Sequence, residues 1–192
     1  MMNSRSRLAR FGIPIGVVAL LCLGSFTGAQ TSRTITATAG LTSRGGVAAT
    51  APVSIIIDRL STDAERDEVL AALKKGGTDA VRGLLSTRSP IGWVKVAATN
   101  TAAKYIYERT TAGKRVITVV TGVPIAYVGA SAIGPKTRVG FELGLVTLEM
   151  SGSGPGQGEL VPAAKVRLNE QGALVTESYS PEVVKLTNVV GK

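Results

Sequence analysis

Histidine is absent from this 192-residue chain, cysteine occurs once, at position 22, and aromatics make up 4% of the residues. Without histidine, Ser-His-Asp and Cys-His catalysis and the common histidine-bearing zinc sites are excluded. The lone Cys22 lies inside an N-terminal apolar run, so the chain that remains once that run is removed forms no disulfide and offers no thiolate. The few rings are too sparse, and the basic residues too scattered, for a base-stacking platform along a nucleic acid. No long apolar stretch follows residue 29, and no motif demands a cofactor or a metal.

What is present begins with the leader. Arg5, Arg7 and Arg10 precede an apolar run from Phe11 to Phe26, which ends in Thr27-Gly28-Ala29. A basic start, a short greasy middle and small residues at the −3 and −1 positions describe a secretory signal peptide cut after Ala29. A membrane anchor needs about 18–20 apolar residues; Pro14, Gly12, Gly16 and Gly24 interrupt this one. Leu21 stands before Cys22 where a lipid-attachment signal wants a small residue, and a twin-arginine pair is missing. The expected product is therefore a secreted or periplasmic chain with no transmembrane segment after cleavage.

Taking 29 residues from 192 leaves 163, within the size of one domain. Of 22 basic residues, three leave with the leader, so 19 face 13 acidic ones. This excess permits attachment to anionic lipid or glycan. The mature basic residues are nonetheless dispersed, with Lys74-Lys75 and Lys114-Arg115 the adjacent pairs. A soluble basic surface is the simpler reading.

Residues 30–52 hold mainly Thr, Ser, Ala and Gly and read as a flexible tether or at most an edge strand. A single domain is expected over 53–192. Val53–Asp58 is β-branched and predicts a strand. Thr62 and Glu65 then have capping-box spacing, acidic residues crowd the first turns, Lys74 and Lys75 close the last, and Gly76-Gly77 stops the helix. Thr78 can cap a second helix carrying Val81, Leu84 and Leu85 up to Pro90, which gives a helical hairpin. Beyond it, short runs rich in Val, Ile, Thr and Tyr predict strands near 92–98, 103–109, 115–121, 139–150, 158–169, 173–179 and 183–189. The expected class is α+β: an N-terminal strand and helical hairpin packed on a twisted antiparallel sheet or partly closed barrel.

Three constellations bear on chemistry. The loop Ser151-Gly-Ser-Gly-Pro-Gly-Gln-Gly158 lacks the Lys-Ser/Thr of a phosphate loop and precedes a strand, so it reads as a long turn. The carboxylates Asp58, Asp63, Glu65, Asp67 and Glu68 fit helix-start electrostatics better than a metal site. Tyr105, Tyr107 and Arg109 alternate along one strand and so share a face, with Trp93 and Tyr127 as further candidates. Amphipathic rings beside a cation suit a planar, sugar-like or anionic ligand.

The segments VSIIIDRLS, STDAERDEVLAALKKGGTDAVRGLLS, GKRVITVVTGVPI, VGFELGLVTLEMSGSGPGQGEL and PAAKVRLNEQGALVTESYSPEVVKLTNV together resemble an uncharacterised family of small exported bacterial proteins. The resemblance spans roughly residues 53–190 and implies export and a shared fold, without an activity or a site. Thr121-Gly-Val-Pro-Ile125 departs from that pattern, in which an acidic residue precedes an Arg-Pro-Ile type motif.

Two functions compete. One is a non-enzymatic exported domain that binds a small amphipathic ligand or an envelope component through its sheet. The other is a cofactor-independent isomerase or cyclase, which needs a buried, unpaired carboxylate such as Glu108, Glu142 or Glu149 inside an apolar barrel cavity. Oligomeric state is not readable from the chain.

Overall fold

The structure is a computed structural model that describes residues 32–42, 48–125, 141–152, 154–170, 172–177 and 183–191. The leader and Tyr127 lie outside the described residues. Among the described residues nine strands occur: β1 (Arg33–Thr42), β2 (Ala48–Ile57), β3 (Gly92–Val96), β4 (Thr99–Thr111), β5 (Lys114–Thr121), β6 (Leu143–Met150), β7 (Gly156–Leu168), β8 (Leu174–Glu177) and β9 (Val184–Gly191). A single helical segment, α1 (Asp63–Ser86), lies between β2 and β3.

The strand order is β6-β5-β4-β3-β2-β1-β9-β7, and a further β6–β7 pairing joins the two ends. The result is a closed eight-stranded antiparallel barrel, with β8 hydrogen-bonded to the far half of β7 as an arm. This corrects the expected α+β architecture. The sheet is not open, the fold is mostly β, and one helical segment replaces the expected helical hairpin. Closure leaves no exposed edge between β1 and β6, because β1 pairs with both β2 and β9 and β7 with both β6 and β9.

The expected tether contains β1 and the start of β2. Ile35, Ala37 and Ala39 alternate with Thr34, Thr36 and Thr38, and the first set is buried inside the barrel. This is a period-two pattern written in small residues.

The lumen is filled rather than hollow where Val53, Ile55, Val94, Ile106, Ile117, Val119, Val146, Leu148, Leu160 and Leu186 meet. At one end Ile125 enters this core, and its backbone N–H donates to the Pro162 carbonyl over 2.8 Å. Gly144 makes room for it: a Cβ there would sit 2.4 Å from Ile125 Cγ1 and 2.5 Å from Thr121 Oγ1. Inward-facing Thr121 is fully buried and accepts the Gly144 N–H over 2.9 Å. At the other end, Glu108 reaches across the mouth from β4 to Arg33 on β1 and also holds Arg115 on β5, at 2.6 and 2.7 Å.

The outer wall carries Lys95, Asn100, Glu159 and Lys185, all exposed. Apolar inside and polar outside is the reverse of a lipid-spanning barrel. Over β4–β7 the outer wall is instead apolar, and α1 covers it: Val69, Leu73, Val81 and Leu85 pack on Tyr105, Val120, Leu145, Val161 and Val166. Ala164, Val166 and Leu168 alternate along β7 and face this outer core rather than the lumen.

The capping box at Thr62 and Glu65 is formed, with both reciprocal bonds. Gly76 and Gly77 leave helical geometry, and the positive φ of 64° at Gly77 favours glycine. The kink brings Arg88, just past the helix, to Glu68 near its start. Thr78 Oγ1 then accepts the Val166 N–H over 3.0 Å and ties the second half of α1 to β7.

Glycine in the 151–158 loop has a second cause besides turning. A Cβ at Gly156 or Gly158 would sit 2.4 or 2.5 Å from carbonyl oxygens of β6, so both belong to β7 as points of close strand approach.

Candidate functional site

The aromatic triplet faces outward because β4 contains a bulge. Its register against β5 shifts between Ala103 and Tyr105. On the near side Thr101 and Ala103 face the lumen, and beyond it Ile106 and Glu108 do; Tyr105, Tyr107 and Arg109 are thereby placed on the outer wall. An unbroken register would have sent the tyrosines into the barrel.

On that wall lies a groove of about 330 Å³, lined by Arg66 and Leu70 of α1, Tyr105, Tyr107 and Arg109 of β4, Thr118 of β5, and Gly172, Ala173 and Leu174 at the start of the β8 arm. The structure therefore brings three of the five expected site residues together. Trp93 is not one of them: it sits on the outer face of β3 between Ile56 and Ala102, 39% exposed. Tyr127 lies outside the described residues.

The two rings stack, with centroids 6.2 Å apart and planes 15° from parallel. Arg66 lies 5.4 Å from the Tyr107 ring centre, a cation–π contact, and also donates to the Tyr107 hydroxyl over 3.0 Å. That hydroxyl in turn donates to Asp63 Oδ1 over 2.8 Å. Arg66 further grips Asp67, at 2.8 Å, and these bonds to Asp67 and Tyr107 raise its pKa above the usual arginine value. Burial, followed by the neighbouring Tyr107, pushes the Tyr105 phenol well above its ordinary range, so it remains a protonated donor. Its hydroxyl makes no hydrogen bond to any described residue.

Arg109 differs from its neighbour across the groove. Its Nε is buried without a hydrogen-bond partner, and no carboxylate among the described residues pairs with the guanidinium.

The acidic cluster at the helix start is occupied. Glu65 is held by Arg59 at 2.8 Å and by the Thr62 N–H, which lowers its pKa to about 2; Asp67 is taken by Arg66 and Glu68 by Arg88. The three glutamates named for an enzymatic base are also paired. Glu108 carries Arg115 and Arg33, which hold its carboxyl below the usual range; Glu142 meets Arg82; Glu149 lies 3.7 Å from Lys114. Each of the three thus has a cation beside it; Glu142 Oε2 is buried without a hydrogen bond, but its contact with Arg82 keeps it from being the unpaired carboxylate that general-base chemistry in a cavity needs.

Sequence reasoning missed Arg66, Leu70, Thr118 and the arm. Arg66 is the single cation within the acidic first turns of α1, and that isolation is the one signal that marked it. The others are gathered only by tertiary contact.

The molecule is thus a closed antiparallel β-barrel with a side-chain-filled lumen and a cationic, aromatic groove on its outer wall. No family model, curated protein or solved structure matches the chain.

Proposed function

We propose that this chain is an exported, non-enzymatic binding domain that holds a small amphipathic ligand in the groove between α1, β4–β5 and the β8 arm. The observation that carries the reading is the convergence of Tyr105, Tyr107, Arg66 and Arg109 from two separate elements on one concavity of about 330 Å³. Ligand grooves combine apolar and aromatic walls with a few placed polar groups. Leu70, Ala173 and Leu174 supply apolar wall, the rings give flat faces, and the guanidinium groups and the Tyr105 hydroxyl give polarity.

The paired state of Glu108, Glu142 and Glu149 favours binding over acid–base turnover. Export follows from the leader ending at Ala29, and it places the ligand outside the cytoplasm or in the envelope.

The test is native mass spectrometry of the protein purified from its own source, followed by amide NMR mapping of any co-purifying small molecule. The expected result is a bound species whose removal shifts resonances of Leu70, Tyr107 and Ala173. A protein that carries nothing, and whose groove resonances respond to no lipid, aromatic or sugar in a thermal-shift panel, contradicts the reading. N-terminal sequencing of the exported form is expected to begin at Gln30.

A further inference from the structure

Resting on that reading, we infer that the ligand is a monoanionic carboxylate with a planar apolar body, and that Arg109 is the residue that holds its acid group.

The groove contains two guanidinium groups, and they are in opposite states. Arg66 is committed: Asp67 accepts from it twice, at 3.0 and 2.8 Å, Tyr107 once, and Asp63 lies 3.9 Å away. Two carboxylates surround its single charge. Arg109 has no carboxylate partner among the described residues, and its Nε is withdrawn from solvent with no acceptor there. A buried donor atom left without an acceptor is unfavourable, and such groups persist where something else meets them. A carboxylate entering the groove supplies the missing acceptors and the missing charge together, and its two oxygens match the planar guanidinium fork.

The pairing of the two guanidinium groups bears on the valence. With Arg66 engaged by Asp63 and Asp67, Arg109 is the groove's one guanidinium that no carboxylate among the described residues meets. A phosphate dianion would meet one cation that is unpaired among the described residues and two nearby carboxylates, an arrangement that repels its second charge. A singly charged acid pairs with Arg109 and brings no second charge to be repelled. The body of the ligand follows from the walls: the parallel tyrosines and Leu70, Ala173 and Leu174 offer flat apolar contact, and the unpartnered Tyr105 hydroxyl offers one donor.

The experiment uses three probes on the full mature chain, 1-naphthoate, its neutral counterpart 1-naphthalenemethanol and inorganic phosphate, by isothermal titration and amide NMR. The expected results are binding of naphthoate at least about tenfold tighter than the alcohol, and no displacement of naphthoate by tenfold more phosphate. Arg109→Gln is expected to remove the preference for the acid, and Arg109→Lys to restore part of it, with melting temperatures matching the parent. Lys95→Gln, which removes the same charge from the outer face of β3, is expected to change nothing.

Equal binding of acid and alcohol at the groove, or naphthoate binding untouched by Arg109→Gln, overturns the carboxylate assignment and leaves the groove reading standing. Competitive displacement by phosphate overturns the single-charge argument. Failure of both naphthalene probes to shift any groove resonance overturns the assignment and the groove reading together.

Discussion

Glu108 and Arg109 are consecutive on β4 and face opposite sides of the barrel wall, and their surroundings are opposite too. Glu108 points to the lumen mouth, accepts from Arg115 and Arg33, and links three strands. Arg109 points to the outer groove and meets no counter-charge among the described residues. Inside the wall, one carboxylate engages two guanidinium groups, and the cluster acts to hold the fold. Outside, the Arg109 guanidinium is not engaged in this way by any described residue. An ion pair completed within the chain has no remaining capacity for a ligand, so the same wall separates structural electrostatics from binding electrostatics.

Substitutions sharpen this contrast, and the largest effect belongs to the interior. Ile117 is fully buried in the filled lumen. Ile117→Ala is expected to destabilise by about 2–5 kcal/mol in urea unfolding, while ligand affinity of the remaining folded protein is unchanged. Gly77 comes next. Its φ of 64° and ψ of −152° suit glycine alone, so Gly77→Ala is expected to lose about 1–3 kcal/mol and to loosen α1, the wall that supplies Arg66 and Leu70.

Glu108→Gln should follow at about 1–2 kcal/mol, because Arg33 and Arg115 are 33% and 42% exposed and water compensates part of the lost charge. It is also expected to weaken the acid limb of stability. Glu108 and Glu65 both titrate below their ordinary value of 4.5 in the folded protein. Their stabilisation is complete above that value and is lost as pH falls through the folded values, about 2 for Glu65. Melting temperature against pH should therefore fall on acidification below about 4.5, and less steeply in Glu108→Gln. The smallest effect is that of Arg109→Gln. Removing an unpaired charge is expected to change stability by no more than about 0.5 kcal/mol in either direction, as measured by thermal melting.

The same contrast explains how much of the molecule its sequence reveals. The capping box at Thr62 and Glu65 is legible because both bonds lie within one turn. The strands β2 to β7 are legible from β-branched runs. β1 is not, because Ala37 and Ala39 are small and look like linker, although their alternation with Thr36 and Thr38 carries the strand period. Small residues there suit a crowded lumen, where a composition-based reading misleads. Closure is not legible either. It rests on β1–β9 and β7–β9 pairing, and nothing local announces that residue 36 meets residue 190.

The site divides in the same way. Tyr105, Tyr107 and Arg109 share a face by simple alternation, so their grouping is visible in the chain. Which side of the wall they take depends on the bulge at Lys104, a register event invisible to alternation alone. Trp93 shares the outer face but stands on β3, beyond that bulge and away from the groove. Arg66 and the arm residues reach the site only because α1 covers β4–β7 and β8 folds beside them.

The most direct test of this division is an NMR titration of the arginine Nε–Hε resonances with 1-naphthoate. The account predicts that the Arg109 signal moves with saturation while those of Arg33 and Arg115, already held by Glu108, stay fixed. A stationary Arg109 signal, or equal movement of all three, would contradict it.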